Sequence, residues 1–156
     1  MKRAILVALI TIGCLVWTVS SHAQAQAPKQ LCLQIGMLDT KILMVIKPFG
    51  SPVSLSSGKV KFYAIHGEAT DNDNFAPPLS GTGHMLGDIF HFSLVGSTVA
   101  SSHHNSFQFE GTWNTASETG SISWTYVVGA GSAISGGDIV GVPLSTADCR
   151  TLSLPR

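Results

Sequence analysis

The chain has 156 residues, of which 12% are charged, with nine basic and nine acidic side chains. No basic patch or stripe is visible along it, which argues against a nucleic-acid binder. The charged fraction is about half the ~25% usual for soluble domains; Gly, Ser and Thr take its place, a composition suited to short strands and turns rather than long helices.

The N-terminus reads "MKRAILVALITIGCLVWTVSSHAQAQAP", a cationic start at Lys2 and Arg3, an apolar run from Ala4 to Val19, and small residues at Ala23, Ala25 and Ala27. That order is the pattern of a secretory signal. Residues 1–25 are therefore expected to be a cleaved signal peptide, and residues 26–156 a single domain, secreted or periplasmic. The apolar run is about 16 residues, short of the ~20 needed to cross a bilayer, so no stable membrane span is expected after processing. Without Lys2 and Arg3, seven basic residues face nine acidic ones, a net charge of about −2. Cys14 departs with the leader. Cys32 and Cys149 remain as an even pair near the two ends of the domain, and in an oxidising compartment such a pair predicts a disulfide.

From residue 31 onward the apolar residues alternate with period two, the signature of half-buried strands. "LCLQIGML" (31–38) sets Leu31, Leu33 and Ile35 on one side; Asp39-Thr40 suits a tight turn into "KILMVIKPF" (41–49). "SPVSLSSG" (51–58) reads as turn-rich, "KVKFYAIHGEA" (59–69) as a strand, and "TDNDNFAPP" (70–78) as a polar, solvent-facing loop. Next, "LSGTGHML" and "IFHFSLVG" flank Gly87-Asp88, a pair suited to a two-residue primed turn. That turn pairs Leu86 with Ile89, Met85 with Phe90 and His84 with His91. Gly83, Met85, Phe90, Phe92 and Leu94 then face the core, and Thr82, His84, His91 and Ser93 the polar side. A loop is expected over 98–105. Beyond it Phe107, Phe109 and Trp113 point in, as do Ile122, Trp124, Tyr126 and Val128 of the next strand. "GAGSAISGGD" (129–138) reads as a flexible loop, and "IVGVPLST" as the last strand before Cys149.

The fold class that follows is all-β: an antiparallel up-and-down meander of about eight strands, a number at which a sheet can close into a small barrel. Closure would lay the first strand beside the last, with Cys32 and Cys149 near the seam. A two-sheet β-sandwich is the alternative. "FEGTWNTASETGSISW" (109–124) resembles the Gly-x-Trp strand of the calycins, the avidin and lipocalin group, through Gly111, Thr112, Trp113 and Asn114, with Gly120 in the turn beyond. The resemblance implies at most a calycin-like barrel that holds a ligand.

Candidate sites follow from these faces. Phe62, Phe92, Phe109, Trp113, Trp124 and Tyr126 are expected to line the barrel lumen, either filling it or binding a small apolar or aromatic ligand there. His84 and His91, opposite each other, with Glu110 or Thr112 beside them on the next strand, offer nitrogen and carboxylate ligands to Zn²⁺, Cu²⁺ or Ni²⁺. His66, sharing a face with Phe62 and Ala64, is placed to reach the barrel mouth near Glu68. His103 and His104 read as the tip of a solvated connection. No nucleophile elbow, zinc-protease motif, phosphate loop or Cys-x-x-Cys occurs, so no catalytic residue and no cofactor is assigned. The leading expectation is an exported, non-enzymatic binding module. The alternatives are an envelope or surface protein-interaction domain, acting through its outer face or the 70–78 and 129–138 loops, and a metal-binding protein or metal-dependent enzyme built on His84, His91 and Glu110.

Overall fold

A computed structural model describes residues 26–36, 41–55, 60–70, 77–100 and 103–151. The expected signal peptide, the Asp39-Thr40 turn and most of the 70–78 loop lie outside the described residues. The chain forms eight strands: β1 (Leu31–Gly36), β2 (Lys41–Leu55), β3 (Val60–Thr70), β4 (Pro78–Leu86), β5 (Ile89–Ala100), β6 (His103–Asn114), β7 (Thr119–Ala130) and β8 (Ala133–Thr146). Each pairs antiparallel with its sequence neighbour, and β1 closes on β8 through Leu33 opposite Thr146 and Ile35 opposite Leu144. One closed sheet replaces the two-sheet sandwich. Among the described residues no helix is long and apolar enough to cross a membrane.

The hairpins close for local reasons. Gly87 takes a φ of 60°, while Asp88 is not in the left-handed region, the sign pattern of a primed turn with glycine first. The pairing of His84 with His91 and Met85 with Phe90 is the expected one. At the β6–β7 turn Asn114 Oδ1 accepts from the amides of Ala116 (2.9 Å) and Ser117 (3.0 Å), an Asx-type device that turns the chain by itself. Gly120 lies in β7 opposite Trp113, two residues past that turn.

Three stretches expected to be loops extend strands instead. Residues 51–55 continue β2 across a register shift between Phe49 and Val53, where Gly50 adopts a φ of 72°. Residues 98–100 and 103–105 pair with each other, Thr98 opposite Asn105 and Val99 opposite His104, so His103 and His104 belong to β6 and not to a loop tip. Most of 129–138 is strand: Gly131-Ser132 is the turn, and 133–138 pair with 125–130. The physical reason is common to all three. Backbone hydrogen bonds to a neighbouring strand need no apolar side chain, so Ser-, Gly- and Ala-rich segments join the ladder without showing alternation.

The interior is apolar: Leu33, Ile35, Met44, Ile46, Ile65, Met85, Phe90 and Leu94 are fully enclosed, and no polar or charged residue is among the buried described ones. An apolar interior is the reverse of the partition in membrane-spanning barrels, whose apolar band faces outward. Packing sets hard limits. A Cβ added at Gly83 would meet the Phe90 ring at 2.5 Å, and one at Gly111 would overlap the Phe92 ring. Glycine at these positions is what lets the rings lie against the sheet. At one end Ala27 is buried among the core residues, and its amide donates to the Tyr63 hydroxyl at 3.4 Å.

On the outer face beside the seam, Cys32 and Val45 form a small second cluster with Leu43 and Ala147 packed on it. The Ala147 amide donates to the Cys32 carbonyl at 2.8 Å, and the Cys32–Cys149 disulfide joins Cα atoms 5.4 Å apart. On the chain-entropy argument, a crosslink spanning 117 residues stabilises by roughly 4–5 kcal/mol. It does so at the one join in the barrel that is not a hairpin.

Candidate functional site

Phe92, Phe109, Trp113 and Trp124 are buried in the interior, and Tyr126 packs half-buried against them. Phe62 departs from the group: it is 36% exposed, on the outer face opposite His84. His66 is likewise on the outside, its ring stacked on Phe49 at 4.1 Å, and does not reach the mouth. The correction has a single cause. In β3 both faces carry apolar residues, so alternation alone leaves the phase open. Pairing with β4 decides it, because Tyr63 lies opposite inward Gly83 and Phe62 opposite outward His84.

The aromatic residues fill the lumen. The cavity lined by Ile42, Phe107, Phe109 and Trp124 is about 70 Å³, against the ~300–1,000 Å³ of sites that enclose a drug-sized ligand. Elsewhere on β6, Asn105 Oδ1 is enclosed without a hydrogen-bond partner among the described residues.

The larger concavities lie outside. Closed sheets are waisted hyperboloids, and short outward side chains on β4–β7 deepen that curve. One groove of about 430 Å³ runs past Thr82, His84, His91, Glu110, Thr112 and Ser123. Across it the register sets a row of side chains: Phe62 opposite His84, His84 opposite His91, His91 opposite Thr112, Thr112 opposite Ser121. The His84 and His91 rings stack with centroids 4.8 Å apart and planes 5° from parallel, and Phe62 lies on the His84 side at 5.4 Å. Burial, and then the neighbouring His91, hold the His84 pKa below its ordinary value.

Thr112, not Glu110, is the direct partner of His91 on β6; Glu110 pairs with Ser93. It sits one diagonal step from His91 and accepts from Gln108 Nε2 at 3.2 Å. Among the described residues no group of three or more His, Cys, Asp or Glu side chains is assembled to hold a metal. The histidine pair is thus built as expected, and the carboxylate is adjacent rather than joined to it.

A second groove, about 550 Å³, passes Ser80, Val95, Ser97, Ser106, Gln108 and Val127. It opens onto a surface that the sequence reading did not single out. Val95, Val99, Val127, Ile134 and Val140 are all exposed, on β5, β7 and β8. Between them lie Ser97, Ser106, Gln108 and Thr125, and the charges on this face are the carboxylates Glu110 and Asp138, the latter accepting from Thr125 Oγ1 at 2.6 Å. The signal was available as valines in the polar phase of each strand, but it has meaning only once the strands are side by side.

No family model, curated protein or solved structure matches the chain. The likeness of residues 109–124 to calycins is a local one, carried by Gly111 and Trp113 on β6.

Proposed function

We propose that this chain is an exported, non-enzymatic interaction module that holds an extracytoplasmic protein against the outer face of β5–β8, with the packed barrel as its rigid support. The observation that carries this reading is the contrast in available space. The cavity against Phe107, Phe109 and Trp124 is about 70 Å³, whereas the outer groove flanked by Val95 and Val127 is about 550 Å³. Depletion of charge around exposed apolar side chains is also the compositional mark of interface centres. The leader pattern and the Cys32–Cys149 disulfide support an oxidising, secreted or periplasmic setting.

The test is site-specific photo-crosslinking in the native host, with the probe at Val127 or Val99 and, for comparison, at Lys47 on the opposite side. A discrete heterologous adduct from Val127 and Val99, lost when Val95 is replaced by Lys, is the expected result. Equal labelling from Lys47, or adducts only to a second copy of the chain, would overturn it.

A second reading has its own support: the Phe107, Phe109 and Trp124 cavity and Asn105 Oδ1, which has no partner among the described residues, suit a small apolar group carrying one hydrogen-bond donor. Saturable quenching of tryptophan fluorescence by such a compound, abolished by Asn105→Leu, would favour that reading over the first.

A further inference from the structure

Resting on the docking reading above, we propose that the partner held at β5–β8 presents a cationic, extended segment. Its apolar side chains lie on Val95 and Val127, and a lysine or arginine between them enters the trough bordered by Glu110 and Asp138.

Charge is segregated along the chain. Between Lys61 and Arg150 the sequence has no lysine or arginine, and every acidic residue except Asp39 falls in that stretch. Strands β4–β8 are all drawn from it, so that side of the barrel carries carboxylates and no permanent cation, whereas Lys47 and Lys61 stand on β2 and β3. Among the described residues the salt bridge is Arg150 to Asp148 at 3.1 Å, beyond β8. Glu110 and Asp138 are met only by neutral donors, Gln108 Nε2 and Thr125 Oγ1. Their charge is left for a partner to match.

Register brings the two carboxylates to one place. Gln108 lies opposite Thr125 and Thr125 opposite Asp138, while Glu110 lies opposite Ser123, one outward step along β6 and β7. A depression of about 320 Å³ runs past both carboxylates and the exposed Val140. It shares Gln108 and Thr125 with the groove flanked by Val95 and Val127, so a segment lying on those valines passes directly into it. The methylene stem of a lysine or arginine can cover Val140 while its head group reaches a carboxylate, and a guanidinium can hold that carboxylate through two N–H groups. An acidic segment would set like charges against each other at the same point. Exposed ion pairs are individually weak; here their effect is on the choice of partner and the rate of encounter, because the face has one sign of charge.

Fluorescence anisotropy of short synthetic peptides of equal length, with valine alternating with lysine, serine or glutamate, tests the charge against the disulfide-bonded chain. The lysine peptide should bind about tenfold more tightly than the serine peptide and lose that margin at high salt. Glu110→Gln and Asp138→Asn should each weaken it by about two- to fivefold, Val127→Ser should weaken the lysine and serine peptides alike, and Glu118→Gln, at the β6–β7 turn, should change neither. Equal binding of the lysine and serine peptides, tighter binding of the glutamate peptide, lysine-peptide binding that survives the combined Glu110→Gln, Asp138→Asn change, or no binding of any peptide up to millimolar concentration would each overturn the proposal. So would self-association of the chain that is lost on the same double change, since a second copy would then be the occupant. The docking reading is separable: a Val127 photo-adduct whose yield is unchanged in the double variant keeps the docked protein and removes its cationic segment.

Discussion

The two faces of β4–β7 are made from the same strands and differ in almost everything else. Inward, Met85, Phe90, Phe92, Trp113 and Ile122 are enclosed and interlocked, with Gly83 and Gly111 giving way to the rings. Outward, one residue along in each case, His84, His91, Glu110, Thr112 and Ser121 border an open groove. Side chains alternate across a sheet, so the polar groove and the packed core occupy the same segment without sharing atoms. The difference teaches that a filled small barrel does not need a hollow centre to offer a site. Its outer waist can supply one, and a rigid inner face holds the outer side chains in register.

Substitutions that break this contrast should differ in size by face. The largest effect is expected from Trp113→Ala, which empties an enclosed aromatic position and should cost about 3–5 kcal/mol. Urea unfolding would show it as a lower midpoint with an unchanged slope. Gly111→Ala comes next: the added methyl overlaps the Phe92 ring and should cost roughly 1–3 kcal/mol, although alanine is the smallest possible change. A Gly111→Ala chain as stable as the original would mean that the core yields more readily than its packing indicates.

The smallest effect is a pH dependence on the outer face. His84 titrates below its ordinary value when folded, so the unfolded chain binds its proton more readily. Its contribution to stability is therefore complete above the ordinary histidine value of about 6.5 and is lost as the pH falls through the folded value. The half-exposed position keeps the effect small. Thermal melts between pH 7.5 and 5 should show a shallower decline for His84→Gln than for the unaltered chain; an identical decline would remove His84 from the account.

Much of the fold was legible beforehand where alternation was unambiguous. In β5–β7, Phe90, Phe92, Phe109, Trp113 and Trp124 stand against Ser, Thr, His and Gln, so the face could be read residue by residue and the His84–His91 pairing followed from the turn. In β3 it could not, since Phe62 and Ala64 compete with Tyr63 and Ile65 for the same reading. Nor could the lengths of β2, β5, β6 and β8, because Gly- and Ser-rich strand ends announce themselves only through a partner's backbone. The exposed valines of β5, β7 and β8 were visible singly, but no single strand reveals a patch.

What the chain's own sequence determined is local: period-two burial, turn chemistry at Gly87-Asp88, and a cysteine pair placed near the two ends of the domain. The tertiary structure decided the phase of β3, the exclusion of Phe62 and His66 from the interior, the position of Glu110 one step from His91, and the filling of the lumen. The reason is physical. Alternation relates each side chain to its neighbours along one strand, whereas register between strands and residual volume depend on how all eight pack together.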